Sequence, residues 1–118
     1  MNMSEETKNS LREFQEYQQQ LRMILTQKTQ LEMRLAETKK ALEEISQHNP
    51  SEVYKIVGQI MLKTDSEKAK KGLDDEAEMI DVRLKSLKKQ ESSINDKLKS
   101  IQEKLEGSFK PPEQGGAQ

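Results

Sequence analysis

VYKIVGQIMLKT, residues 53–64, is the one stretch of this sequence whose pattern favours β-strands over helix. Its β-branched and aromatic residues surround Gly58-Gln59, the Gly-X pair typical of a two-residue type II′ turn. Such a turn predicts a β-hairpin in which Val57 lies opposite Ile60. The pairing then continues away from the turn, with Ile56 opposite Met61, Lys55 opposite Leu62 and Tyr54 opposite Lys63. Because the stretch lies near the middle of 118 residues, it separates two arms of similar length.

Each arm carries a coiled-coil pattern, in which apolar residues recur at alternating steps of three and four. We call these positions the seam. In the first arm the seam positions are Phe14, Tyr17, Leu21, Ile24, Lys28, Leu31, Leu35, Thr38, Leu42 and Ile45. In the second arm they are Leu73, Ala77, Ile80, Leu84, Leu87, Glu91, Ile94, Leu98, Ile101 and Leu105. Polar and charged residues fill most other positions, which predicts two helices joined along one narrow stripe.

Capping and helix-breaking residues predict where the helices begin and end. Asn49-Pro50 should end the first helix, and Thr64-Asp65-Ser66-Glu67 resembles a capping box that starts the second. Gly107, followed by two prolines, should end the second helix. We therefore predict a single domain with a helix over 6–48, a hairpin over 52–64, a helix over 65–107 and a flexible tail over 108–118.

Arms of equal length can fold back on one another, so we predict a mainly α fold: a long antiparallel two-helix coiled coil with one β-hairpin at the bend. Each arm would run about 60 Å, with Leu73 near Ile45 and Leu105 near Phe14. Both chain termini then lie at one end. We call this end, formed by residues up to 14 and from 105 onward, the tip. Gly72 lies inside the second helix, where nothing in the sequence explains it.

The predicted hairpin is apolar on both faces. Alternation places Val53, Val57, Ile60 and Leu62 on one face and Tyr54, Ile56 and Met61 on the other. A lone two-stranded ribbon is marginally stable in water, and its edges offer unpaired N–H and C=O groups. We therefore expect these residues, with Gly58 at the turn, to form an oligomerisation site in a sheet that several subunits complete. The alternative is a ribbon that simply caps its own coiled coil.

Composition and charge disfavour several classes of function. Hydrophobic residues make up 31% and charged residues 35%, with a net charge of −1. Interleaved charges of both signs argue against nucleic acid as the main partner. Without cysteine, disulfides and thiolate zinc sites cannot form. No apolar run fits a signal peptide or a transmembrane helix, so we expect no membrane partner and a cytoplasmic location.

Enzymatic activity is a further hypothesis that the sequence disfavours. The single histidine, His48, lies at a predicted helix end without an obvious nucleophile or metal partner. Acidic residues Asp74, Asp75, Glu76 and Glu78 lie in the early turns of a helix, where the helix dipole alone favours them. We therefore expect no catalytic residues, no cofactor and no metal site.

Several segments resemble the prefoldin beta subunits of archaeal type. They are YQQQLRMIL at 17–25, KKALEEI at 39–45, VYKIVGQIMLKT at 53–64 and VRLKSLKKQESSINDKL at 82–98. Together they place residues 9–109 on the family pattern, and the VYKxVG segment with a later QE pair is its most specific part. The alpha class of that family carries two β-hairpins, whereas residues 50–65 leave room for one. The resemblance is therefore to a beta subunit.

This resemblance implies a hexamer of two alpha-type and four beta-type subunits, whose hairpins form a double β-barrel platform that carries the coiled coils. It also implies an ATP-independent chaperone, or holdase. Such a complex captures unfolded polypeptides, its clients, at the coiled-coil tips and delivers them to a group II chaperonin. A coiled-coil scaffold or tether without chaperone activity is the alternative, because it shares the fold and differs only in what the tips do.

The sequence at the tip agrees with client binding. Phe109 continues the second seam one step past Leu105, whereas Ser10 and Thr7, the matching positions of the first arm, are polar. The polar positions cannot cover all of the apolar ones, so we expect an apolar client-binding patch at the tip. Its residues are Leu11, Phe14, Leu105 and Phe109.

Overall fold

The computed structural model describes residues 3–109, without the side chain of Phe109. Helix α1 is Glu5–His48, strand β1 is Val53–Val57, strand β2 is Ile60–Thr64 and helix α2 is Ser66–Phe109. The chain divides into two compact units. The described part of the terminal unit is residues 3–26 and 87–109, and the hairpin unit is residues 27–86. The predicted fold class, an antiparallel two-helix coiled coil with a β-hairpin, is confirmed.

The predicted seam forms the inner stripe of both helices. All of its positions are buried or half-buried, whereas most other helical positions are exposed. Its most buried apolar side chains are Ile24, Leu87, Ile94 and Leu105 in the terminal unit and Ile45, Ile80 and Leu84 in the hairpin unit. Thr38 is a buried polar exception, and its hydroxyl donates to the Arg34 carbonyl oxygen at 2.9 Å. That hydrogen bond satisfies the hydroxyl within its own helix.

Local hydrogen bonds close both ends of α1. At its start the Thr7 N–H donates to the Ser4 hydroxyl oxygen at 3.0 Å, as in other serine N-caps. At its end Asn49 has a left-handed backbone with φ 42°, and its N–H donates to the Ile45 carbonyl oxygen at 2.8 Å. This is a C-cap of the left-handed type, followed by Pro50. The predicted end of the first helix is confirmed.

The N-cap of α2 lies one residue beyond the predicted capping box. Asp65, rather than Thr64, caps the helix, because the Lys68 N–H donates to Asp65 Oδ1 at 2.8 Å. Thr64 instead ends β2, where it pairs with Val53. Both residue types are good caps, and the pairing of Thr64 in the hairpin decides between them.

Helix α2 also continues past its predicted end. Gly107 lies within the helix, which ends at Phe109, and the Ser108 hydroxyl donates back to the Lys104 carbonyl oxygen at 3.1 Å. A glycine weakens a helix without ending it. The prolines after Lys110 and most of the predicted tail lie outside the described residues.

Strands β1 and β2 form the predicted hairpin in the predicted register. Val57 pairs with Ile60, and the pairing continues to Val53 opposite Thr64. Gly58 has φ 60°, whereas Gln59 is not among the residues with positive φ. This combination defines the type II′ turn, in which only the first central residue is left-handed. Glycine is required there because a Cβ would strain that backbone.

One contact between the two helices of the terminal unit involves their long side chains. The Lys97 ammonium lies 5.3 Å from the centre of the Tyr17 ring. Ser10, the seam-line position of α1 beyond Phe14, is buried. The pairing of Leu105 with Phe14 stays a prediction, because each heptad step offers a similar apolar match.

Candidate functional site

The hairpin exposes large apolar side chains on both faces. They are Val57, Ile60 and Leu62 on one face and Tyr54, Ile56 and Met61 on the other. Their exposed fractions run from 45% for Val57 to 73% for Ile56. Only Val53 and Thr64, at the root of the hairpin, are half-buried. The chain's own helices thus leave both faces of the hairpin uncovered. Exposed apolar patches of this kind are typical of surfaces that bind another chain.

Polar contacts hold the root of the hairpin. Glu52 accepts hydrogen bonds from the Lys63 ammonium at 3.0 Å and from the Tyr54 hydroxyl at 3.2 Å. The Ser66 hydroxyl donates to the Pro50 carbonyl oxygen, which ties the start of α2 to the segment before β1. Within residues 3–109 the sheet has only these two strands. The outer edge of each strand is therefore available for pairing with another strand.

The tip of the terminal unit is more closed than the sequence predicts. Leu105 is only 8% exposed, and Leu11 and Phe14 are half-buried. The side chain of Phe109 lies outside the described residues, although its backbone ends α2. The structure therefore does not show Leu105 in an open apolar patch.

Polar side chains close the α1 side of this tip. Ser10 is 3% exposed, and Thr7 is half-buried. Serine and threonine bury far less apolar surface than leucine, and each buried methylene group contributes about 0.8 kcal/mol. Helix ends also fray more readily than helix centres. The tip is thus closed, but it is held less tightly than the apolar parts of the seam.

Comparison with known proteins decides the family. A family model described as prefoldin subunit matches residues 8–111. The chain belongs to the prefoldin subunit family. It is 38% identical over 115 residues to prefoldin subunit beta of Pyrococcus abyssi, covering 97% of this chain and 98% of that protein. The identity to prefoldin subunit beta of Pyrococcus furiosus is 37% over 115 residues, with the same coverage of both chains.

A solved prefoldin structure agrees with this fold. The crystal structure of the prefoldin beta subunit from Thermococcus strain KS-1 matches with a TM-score of 0.83 at 36% identity. The match covers 94% of this chain and 98% of that chain. The predicted resemblance to archaeal prefoldin beta subunits is confirmed. Membership of the prefoldin subunit family implies oligomeric assembly with other prefoldin subunits.

Sequence reasoning missed one feature of this prefoldin subunit, a groove beside the root of the hairpin. The groove has a volume of about 410 Å³ and lies within the hairpin unit. Its walls include Val53 and Tyr54 of β1, Ile45 of α1 and Leu73 of α2. No periodic pattern could reveal it, because it forms where both helices and both strands meet.

Gly72 also lines this groove. It is exposed and lies in α2 without a positive φ. A Cβ atom built on Gly72 would meet nothing within 4 Å. No contact within the described chain therefore requires glycine at this position.

The remaining candidates from the sequence have local roles. The His48 ring nitrogen lies 3.3 Å from Glu44 on the exposed surface of α1. Glu76 pairs with Arg34 of the other helix at 2.7 Å. In the described part of the chain, no cluster of histidine and acidic side chains is placed to hold a metal ion. None of the helices that the structure describes is apolar enough over a sufficient length to span a membrane.

Proposed function

We propose that this chain is a subunit of an ATP-independent holdase that acts in the cytoplasm. The complex captures unfolded polypeptides at its coiled-coil tips and delivers them to a group II chaperonin. The observation that supports this proposal best is the uncovered apolar hairpin on a two-helix coiled coil of the prefoldin subunit family. The apolar side chains of such a hairpin leave water only when the chain assembles with other subunits.

The proposed assembly is a hexamer of two alpha-type and four beta-type subunits, in which this chain is beta-type. Its hairpin supplies two strands to a β-barrel platform. Each strand has one unpaired edge, so neighbours can add on both sides, and closure into a barrel removes the edges altogether. The apolar side chains on one face then form the interior of the barrel. The oligomerisation residues are Val53, Tyr54, Ile56, Val57, Gly58, Ile60, Met61 and Leu62.

Client binding is assigned to the tip, through Leu11, Phe14, Leu105 and Phe109. Since Leu105 is buried in the closed coil, binding requires the two helix ends to separate. The cost of this opening is small because the seam-line positions of α1 beyond Phe14, Ser10 and Thr7, are polar, and local openings are cheapest where few apolar contacts are lost. Leu105 and Phe14 then become surface for an unfolded chain.

This mechanism needs no nucleotide. Covering exposed apolar surface of the client supplies the free energy of binding, and the tip recognises that surface rather than a sequence. Several tips in one complex raise the effective concentration of binding sites. Weak individual contacts can therefore hold a client firmly and still release it to a chaperonin.

The proposal is tested by light scattering from a denatured test protein diluted into buffer without nucleotide. The chain, assembled with an alpha-type subunit, is compared with a complex in which it lacks residues 1–14 and 105–118. We expect the intact complex to suppress aggregation and the trimmed complex to lose most of that activity. If both complexes assemble and neither suppresses aggregation, the holdase proposal fails and a scaffold role replaces it.

Delivery is tested separately by adding a group II chaperonin and ATP to the complex with its captured test protein. We expect recovery of native test protein to rise above that with chaperonin added to free aggregating protein. Equal recovery would contradict delivery without contradicting capture.

A further inference from the structure

We propose that Ser66 is a positioning residue for assembly. Its hydroxyl donates to the Pro50 carbonyl oxygen, and in this proposal that hydrogen bond fixes the direction in which the hairpin leaves the helices of the hairpin unit. The inference rests on the proposed assembly through the hairpin, and it names the residue that orients the hairpin before assembly.

The hairpin is connected to the helices but hardly packed against them. Its large apolar side chains beyond the root are 45% to 73% exposed, and only Val53 and Thr64 are half-buried. Beside the root lies the groove of about 410 Å³, lined by side chains of both strands and both helices. Side-chain packing therefore does little to hold the hairpin in one direction. The chain segments at the root must do so.

These two segments differ in the freedom of their backbone. A single residue, Asp65, separates β2 from α2, and each residue has two soft backbone dihedral angles. A small rotation at Asp65 therefore swings the whole hairpin. On the other side Pro50 follows the capped end of α1, and its ring fixes one of its two angles. A contact from the start of α2 to Pro50 is thus well placed to restrain the rotation.

The hydrogen bond of Ser66 provides this contact. Its two partners lie 16 positions apart in the sequence. Ser66 is only 9% exposed and Pro50 is half-buried, so water competes little for the hydrogen bond. Glu52 bonds instead to Lys63 and Tyr54, which both belong to the hairpin. Ser66 therefore links the segment that follows the hairpin to the segment that precedes it.

A fixed direction matters for assembly because pairing with another strand orders the hairpin. A group that is already held in its bound orientation loses less conformational freedom on binding. A hairpin that swings must be ordered at the moment of assembly, and this cost weakens the association. Loss of the Ser66 hydroxyl should therefore weaken assembly while the helices and the hairpin stay folded.

The first experiment measures the direction of the hairpin by electron paramagnetic resonance. Because the chain has no cysteine, spin labels are placed at Gln59→Cys in the turn and at Lys40→Cys on the exposed side of α1. Both positions lie in the hairpin unit. Every chain carries Val57→Lys with Ile60→Glu to prevent assembly, so the distance is measured within one chain.

We expect a narrow distribution of label distances in the chain with Ser66 and a broader one in Ser66→Ala, at unchanged helix content by circular dichroism. Ser66→Thr retains the hydroxyl and should restore the narrow distribution. An equally narrow distribution in Ser66→Ala, or equal broadening in Ser66→Thr, would overturn the inference.

The matched control is Thr38→Val. It removes a hydroxyl of the same unit that also donates to a backbone carbonyl oxygen, that of Arg34, but away from the root. We expect this variant to leave the distance distribution unchanged. Broadening equal to that of Ser66→Ala would show a general loosening of the unit and would overturn the role of Ser66.

The second experiment measures assembly with an alpha-type subunit by native mass spectrometry, in chains that retain Val57 and Ile60. We expect Ser66→Ala to assemble about tenfold more weakly, as the loss of one buried hydrogen bond suggests, and Thr38→Val and Ser66→Thr to assemble normally. Normal assembly of Ser66→Ala would overturn the inference. Failure of the unsubstituted chain to assemble would contradict the proposed function, whereas the distance measurement in the single chain decides the role of Ser66 independently.

Discussion

The hairpin and the tip expose their apolar residues to very different degrees. Six large apolar side chains of the hairpin are 45% to 73% exposed in the folded chain. At the tip Leu105 is 8% exposed, and the polar Ser10 is 3% exposed. The hairpin is thus incomplete without another subunit, whereas the tip is closed on itself by weak contacts. On the proposed function, assembly can use the hairpin as it stands, whereas client binding at the tip would require the coil to open locally.

The largest effect is expected from charges on the hairpin. Val57 and Ile60 are cross-strand partners, so Val57→Lys with Ile60→Glu introduces opposite charges that support the hairpin itself. In a shared sheet, however, each charge leaves water, and a poorly compensated buried charge costs about 3 kcal/mol or more. We expect native mass spectrometry to show a monomer, with assembly weakened more than about a hundredfold.

The matched control for this variant is Met79→Lys with Val82→Glu. Both control positions lie on α2 in the same unit and are at least as exposed as Val57. This control should assemble normally. An unchanged native mass for the hairpin variant would contradict the shared sheet and remove the contrast between hairpin and tip.

A smaller but still large effect is expected at the tip. Replacing Leu11, Phe14, Leu105 and Phe109 by Ser should weaken client capture about tenfold or more, because each large apolar side chain contributes about 1.5–3 kcal/mol when covered. Light scattering measures client capture. Native mass spectrometry measures assembly, and we expect assembly to be unchanged. Met79→Ser with Val82→Ser removes exposed apolar residues elsewhere and should retain capture. Loss of assembly in the tip variant would show that these residues are structural.

Closing the tip should reduce capture without removing any apolar residue. Ser10→Leu places an apolar side chain at a buried position of the tip, where it can stabilise the closed coil by about 1 kcal/mol or more. We expect capture to fall several-fold and the tip amides to exchange more slowly with solvent. Ser93→Leu, on an exposed position of α2, is the control and should change neither. Stronger capture by Ser10→Leu would contradict the opening mechanism.

The smallest effect is expected from Gly72→Ala and Gly107→Ala. Open space surrounds the Cβ position of both glycines, and alanine is better than glycine in a helix by about 1 kcal/mol. In the monomeric Val57→Lys, Ile60→Glu background, both variants should unfold at a higher temperature by circular dichroism. Destabilisation by Gly72→Ala would contradict this expectation and would show an intrachain contact at Gly72.

The sequence is sufficient to predict the hairpin and the seam, because both follow from local rules. Gly58-Gln59 determines the turn type and hence the pairing of Val57 with Ile60, and apolar spacing determines which helical faces are buried. The pairing of the two helices is different. Shifting one seam by a step still matches apolar residues to apolar residues, so the spacing alone does not determine which residues lie level.

The same limit explains the candidate sites. The exposed hairpin surface could be predicted, since a lone ribbon with two apolar faces cannot be covered by one coil. The burial of Leu105 could not, because it depends on how the two helix ends pair. The groove at Gly72 depends on packing among both helices and both strands, which no local rule predicts.

Hydrogen exchange is the measurement that tests the contrast between hairpin and tip most directly. Amide exchange is followed in the monomeric Val57→Lys, Ile60→Glu variant, in the unsubstituted complex, and in the complex with a captured unfolded protein. We predict that assembly protects residues 53–64, while residues 5–14 and 101–109 exchange rapidly in both states and are protected only by the client. A hairpin equally protected in the monomer, or a tip protected before any client is added, would contradict the account.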